Sequence, residues 1–177
     1  MAIGYLYTGG PIPISWTPFG ELFSGLFMGM IIILLAFFIQ TGNVNGFVVW
    51  ISLPIVITIG LINMANNIRD RVKDKASGRK TLPILLGKKA SITFMAAMYI
   101  LAYLIVIFTA LFKSGGSLFY LLVLFSFPMP IKAIRRFNKN DTPASMMPAM
   151  AATGKTNTVF GILYALGIYI SALLGGI

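Results

Sequence analysis

Five apolar runs, at about 20–39, 46–65, 91–112, 117–134 and 157–177, take up most of this chain and decide its solvent. A helix that crosses the hydrocarbon core needs roughly 20 predominantly apolar residues, and short polar or Gly/Pro-containing links separate the runs. The remaining sequence is too short to build a soluble domain of ordinary size. With 58% hydrophobic residues, 10% charged residues and a mean hydropathy of +0.89, the composition lies well outside that of water-soluble domains. The expected fold is therefore an all-α membrane protein of about five transmembrane helices, forming one domain over residues 1–177. The fourth run carries Pro128 and Pro130, which predicts a kinked or shortened helix whose freed carbonyls are satisfied by neighbours.

The basic residues orient the bundle. Arg69, Arg71, Lys73, Lys75, Arg79, Lys80, Lys88 and Lys89 fall between the second and third runs, and Lys132, Arg135, Arg136, Lys139 and Lys155 between the fourth and fifth. Only Lys113 falls on the other side. Short positively charged loops stay cytoplasmic, so the amino terminus is expected inside and the carboxy terminus outside. The same bias accounts for the net charge of +10 without any nucleic-acid partner. The start has no basic n-region, which argues against a signal peptide. Residues 4–19, dense in Tyr, Gly and Pro, read as a cytoplasmic loop between helices, as if the chain were entered partway.

The chain has no cysteine and no histidine, which removes disulfides, thiolate nucleophiles, imidazole-ligated metals and Ser-His catalysis. A metal must then be held by oxygen, and the acids are Glu21, Asp70, Asp74 and Asp141 alone. Glu21 stands at the start of a span and Asp141 in a Pro-flanked loop. Asp70 and Asp74 stand together where the second run turns polar. On a continued helix, residues four apart project about 40° from one another, so the two carboxylates can share one ligand. Asn66 lies on the same stripe one turn earlier, within a polar set that includes Asn63 and Asn67. Two carboxylates and a carboxamide at the membrane edge, ringed by Arg69, Arg71, Arg79 and Lys80, suit a Mg²⁺ ion that carries a diphosphate. Magnesium takes one or two carboxylates and lets phosphate and water complete its octahedron. The competing reading of Asp-x-x-x-Asp in a basic loop is an i,i+4 charge ladder that solubilises the helix end.

The string Asn66-Asn67-Ile68-Arg69-Asp70-x-x-x-Asp74-x-x-x-Gly78-Arg79-Lys80-Thr81-Leu82-Pro83-x-x-x-Gly87 resembles the second Asp-rich motif and following loop of the UbiA-type aromatic prenyltransferases. Within that family it is most similar to the branch that prenylates 1,4-dihydroxy-2-naphthoate in menaquinone biosynthesis. Tyr5-Leu6-Tyr7-Thr8-Gly9-Gly10-Pro11, followed by Thr17-Pro18-Phe19-Gly20-Glu21, is similar to the family's loop leading into its fifth helix. Likeness continues through Ala152-Thr153-Gly154-Lys155 and the last helix.

The resemblance implies a bacterial cell-membrane transferase that moves a polyprenyl group from its diphosphate to an aromatic ring. It implies Mg²⁺ on Asp70 and Asp74, with Asn66, Asn67, Arg69, Arg79 and Lys80 orienting and neutralising the diphosphate, and Tyr5 and Tyr7 on the substrate side. Family members have nine helices and a first Asp-rich motif, Asn-x-x-x-Asp-x-x-x-Asp, on the second of them; no such motif occurs here. The chain thus matches the latter five helices of nine, and a missing amino-terminal half is the implied partner. The alternative class is a small non-enzymatic membrane transporter or scaffold with an Asn/Asp cation site. Ala149-x-x-x-x-Gly154-Lys155-Thr156 meets a relaxed phosphate-loop pattern, but an apolar run follows it and no strand precedes it, so nucleotide binding is not expected.

Overall fold

In the computed structural model of the chain, residues 2–175 are described, and among them the regular structure is helical throughout. Five helices are long and apolar enough to cross a membrane: Gly20–Thr41, Gly46–Ala76, Leu82–Phe112, Leu118–Lys139 and Pro143–Leu173. This is a multi-pass membrane protein. The last two residues of the fifth expected run, 176 and 177, lie outside the described residues.

We number the elements α1 (Ala2–Thr8), α2 (Gly20–Gly25), α3 (Ile32–Thr41), α4 (Gly46–Ala76), α5 (Leu82–Phe112), α6 (Pro128–Lys139) and α7 (Pro143–Leu173). Residues 4–19, expected as loop, in fact hold α1 and a 3₁₀ turn, Ile14–Trp16. A π-helical stretch, Leu26–Ile31, joins α2 to α3 within the first span. Glycines explain how closely that span crosses α4. A methyl placed on Gly60 would stand 2.9 Å from the Glu21 carbonyl, and one on Gly29 3.2 Å from the Val56 backbone. Small residues at such crossings let backbones approach where lipid offers no hydrophobic drive to association.

The fourth run breaks as its prolines require: a 3₁₀ helix, Leu118–Ser126, gives way at Phe127 to α6, with Pro128 opening the new helix. Tyr103 stabilises this break through the contact of its hydroxyl with Ser126 Oγ at 2.7 Å. Helix α5 begins at Leu82, earlier than the apolar run, because Pro83 suits the first turn and Gly87 (φ 77°, ψ 166°) redirects the chain before the spanning part. Helix α7 likewise starts early, on a Thr142/Ser145 capping box.

Two apolar clusters hold the bundle. One joins α4, α5, α6 and α7 near the basic ends, around Met64, Ile68, Met95, Phe137 and Ala149. The other lies toward the far side, where Tyr103, Tyr120, Phe160 and Tyr164 meet edge to face. Helix α4 is the hub, packed by α2, α5 and α7.

Candidate active site

Helix α4 runs unbroken through the polar stretch to Ala76, so Asn66, Asp70 and Asp74 occupy one stripe as the spacing requires. Ile62, Asn66 and Asp70 on this stripe are open or half-open to the surroundings, whereas Met64, Ala65 and Ile68 on the opposite side are buried. The stripe is thus half-open at Asn66 and Asp70 but closed over at Asp74, which is buried, and Arg69 beside Asp70 reaches Met147 of α7 at 3.2 Å.

Arginines grip both carboxylates. Arg69 donates from Nε to Asp70 Oδ1 at 2.7 Å and from Nη2 to Oδ2 at 2.5 Å, and the same Nη2 donates to Asn66 Oδ1 at 2.7 Å. Asp70 stands beyond the apolar part of α4, and these hydrogen bonds hold its carboxyl below the usual carboxylate range. Asp74 is paired with Arg79 at 3.4 Å. The third ion pair among the described residues, Lys88 with Asp141, pins α5 to the link before α7. Among the described residues no lysine of the α4 tail pairs with either aspartate; both carboxylates pair with arginines close in sequence, Asp70 with Arg69 and Asp74 with Arg79.

Arg79 also stacks over the Trp16 ring, 5.7 Å from its centroid, while the Lys80 backbone N–H donates to the Trp16 carbonyl at 2.7 Å. These contacts clasp the 3₁₀ turn before α2 to the loop after α4, so the two segments that sequence likeness singled out are neighbours. The Lys80 side chain is exposed at this rim. Arg71 lies elsewhere, lining a cavity with Val72, Lys75, Ala76, Ile84 and Gly87 on the α5 side.

The two tyrosines part company. Tyr7 accepts from Asn63 Nδ2 at 3.0 Å and donates to the Gly20 carbonyl at 3.3 Å, tying α1 to α4 one turn below Asn66. Tyr5 is 68% exposed, and its side chain makes no hydrogen bond among the described residues. Asn67 is buried on the flank toward α2, away from the open stripe, and donates from Nδ2 to Glu21 Oε1 at 2.9 Å. Glu21 is the residue that sequence reasoning missed. It is buried, and its Oε2 has no hydrogen-bond partner among the described residues. Its signal was present: an acid at the head of an apolar span, in a chain with four acids, needs a polar partner. Only the crossing of α2 over α4 identifies that partner as Asn67.

As a metal site the stripe is half built. Among the described residues no group of three acidic side chains comes together. Two carboxylates and a carboxamide on one stripe nevertheless fit a magnesium ion whose remaining ligands are phosphate and water. Oxygen donors of this kind suit Mg²⁺ and suit soft metals poorly.

The model of the UbiA prenyltransferase family matches residues 1–159. The chain belongs to the UbiA prenyltransferase family. This membership favours a transferase over the transporter or scaffold. The chain is 50% identical over 172 residues to the 1,4-dihydroxy-2-naphthoate octaprenyltransferase of Bacillus subtilis, covering 97% of this chain and 55% of that protein. It is 32% identical over 164 residues to the UbiA prenyltransferase domain-containing protein 1 homolog of Drosophila melanogaster, covering 93% and 44% respectively. It is 27% identical over 167 residues to the human UbiA prenyltransferase domain-containing protein 1, covering 94% and 47%. The chain thus spans about half the length of the curated relatives it matches. Against this family background the phosphate-loop pattern loses its meaning, since Gly154-Lys155-Thr156 lies in mid-helix in α7.

Proposed function

We propose that this chain is the carboxy-terminal part of a single prenyltransferase domain, the latter five of nine helices, and that it supplies one half of a site for transfer of a polyprenyl group to 1,4-dihydroxy-2-naphthoate in menaquinone biosynthesis. The observation that carries the reading is the polar α4 stripe: two carboxylates one turn apart, each paired with an arginine, Asp70 half-open and Asp74 buried near the helix end.

Asp70 and Asp74 are the magnesium ligands of the proposal, with Asn66 Oδ1 as the neighbouring oxygen. A Mg²⁺ ion held by these residues would supply charge neutralisation to a diphosphate leaving group. Arg69, Arg79 and Lys80 are cations already at the rim, where negative charge grows on the leaving group; placed in advance, they contribute most in the transition state. Asn67 and Glu21 fix the α2 flank, and Tyr7 fixes α1 through Asn63. Tyr5, exposed on α1, is free to meet substrate. In the membrane this site faces the cytoplasm, with the amino terminus inside and the carboxy terminus outside, as the basic bias requires.

The lone chain is inactive on this reading. The opposing Asp-rich motif belongs to the missing half, and without it the diphosphate is under-neutralised and the pocket lacks a wall against water. The test is to incubate the purified chain with Mg²⁺, a polyprenyl diphosphate and dihydroxynaphthoate, with and without a co-expressed amino-terminal half of a relative. Product only on complementation is the expected result. Robust turnover by the chain alone would overturn the half-site reading.

A further inference from the structure

A second basic site lies apart from the α4 stripe. Lys132 and Arg136 of α6 and Lys155 of α7 line one groove of about 300 Å³, with Met129, Ala151 and Ala152 as its apolar floor. No acid lines it. All four acids of the chain are engaged elsewhere: Asp70 with Arg69, Asp74 with Arg79, Asp141 with Lys88, and Glu21 with Asn67. Arg136 is aimed by donating from Nη1 to the Pro148 carbonyl at 3.0 Å, which leaves most of its donor fork unused.

The depth of the groove is set by α7. The nineteen residues from Lys155 to the helix end at Leu173 cover about 27 Å at a rise of ~1.5 Å from each residue to the next, close to the ~30 Å hydrocarbon core. Lys155 therefore stands at the boundary between hydrocarbon and headgroups. From it an exposed apolar stripe runs down the same face of α7 through Ile162, Leu166, Tyr169 and Leu173. Cations at headgroup depth above a continuous apolar track match a ligand with an anionic phosphate head and long acyl tails.

We propose that the α6–α7 groove binds an anionic phospholipid of the surrounding bilayer, its phosphate between Lys132, Arg136 and Lys155 and one acyl chain along α7. Basic pockets between helices at the membrane surface hold such headgroups through charge and through the apolar floor beside them. The groove shares no residue with the α4 stripe, and its open α7 face is that of this chain without the amino-terminal helices that the prenyl-transfer reading adds.

The experiment is native mass spectrometry of the detergent-purified chain with equimolar phosphatidylglycerol and phosphatidylcholine. We expect one phosphatidylglycerol retained per chain, preferred over phosphatidylcholine by on the order of a hundredfold if each of three cations contributes about fivefold. The triple variant K132Q/R136Q/K155Q should lose that preference. The variant K75Q/K89Q/K139Q, with the same change in net charge, should keep it. Salt titration of the unmodified chain provides a readout that needs no variant: retention of phosphatidylglycerol should fall as ionic strength rises. Equal retention of the two lipids, equal losses in both triple variants, or salt-independent retention would overturn the proposal. So would a polyprenyl diphosphate held by the same three residues in place of phosphatidylglycerol, because the groove would then serve substrate.

Discussion

Helix α4 presents two faces that differ in what they lack. On one face Met64, Ala65 and Ile68 are buried against α5, α6 and α7, with Met95 and Phe137 closing the cluster. On the other, Ile62 is exposed and Asn66 and Asp70 are half-buried, and the polar groups satisfy one another through Arg69. The covered face is complete within this chain, and its cost of change should be read in stability. The open face is satisfied only locally, by arginines that a diphosphate can also engage, and its cost of change should be read in binding and activity. A fold and a half-site thus share one helix without sharing residues.

The largest effect expected from this contrast is on chemistry. In the complemented bundle, Asp70→Ala or Asp74→Ala should lower prenyl transfer by at least ~10²–10³, the loss typical of a single transition-state stabiliser. The amount of protein recovered in the membrane fraction should not change. Full activity in both variants would return the pair to a charge ladder.

A smaller effect, in stability, is expected at the flank between the faces. Glu21→Ala strands the buried Asn67 amide and should cost about 1–3 kcal/mol, measured by denaturant unfolding in detergent. An unchanged midpoint would mean that water or another group replaces the carboxylate.

On the covered face, Ile68→Val removes one buried methylene and should cost about 0.5–1.5 kcal/mol, with activity of the complemented bundle intact. A loss of turnover exceeding the loss of folded protein would show that the two faces are coupled. The smallest effect is the stability change of Asp70→Asn. Its pair with Arg69 is partly exposed, and such pairs contribute ~0–1 kcal/mol.

Much of this was legible in the sequence because lipid imposes a strong and local rule. A run of about 20 apolar residues must become a helix whose backbone satisfies itself, so the five spans, and the break at Pro128 and Pro130, followed from composition along the chain. The Asp70/Asp74 stripe followed from helical period alone. The helical start at Leu82 did not, because its first turn is held by Pro83 and by the left-handed bend at Gly87 before the apolar run begins. Nor did the roles of Glu21 and Tyr7, whose partners Asn67 and Asn63 lie on another helix. Those contacts depend on how closely α2 crosses α4, which Gly60 and Gly29 permit. Asn67 shows the limit most clearly: its neighbour Asn66 faces the open stripe, while Asn67, one residue on, serves the flank.

The account rests on the open stripe being a metal-diphosphate half-site, and manganese binding tests this without the missing half. The purified chain should be titrated with Mn²⁺, as a spectroscopic substitute for Mg²⁺, in the presence of inorganic diphosphate, with bound and free ion distinguished by electron paramagnetic resonance. The expected result is one diphosphate-dependent Mn²⁺ per chain, abolished in the double variant Asp70→Asn/Asp74→Asn and retained in Glu21→Gln. Mn²⁺ binding that the double variant leaves unchanged would contradict the account.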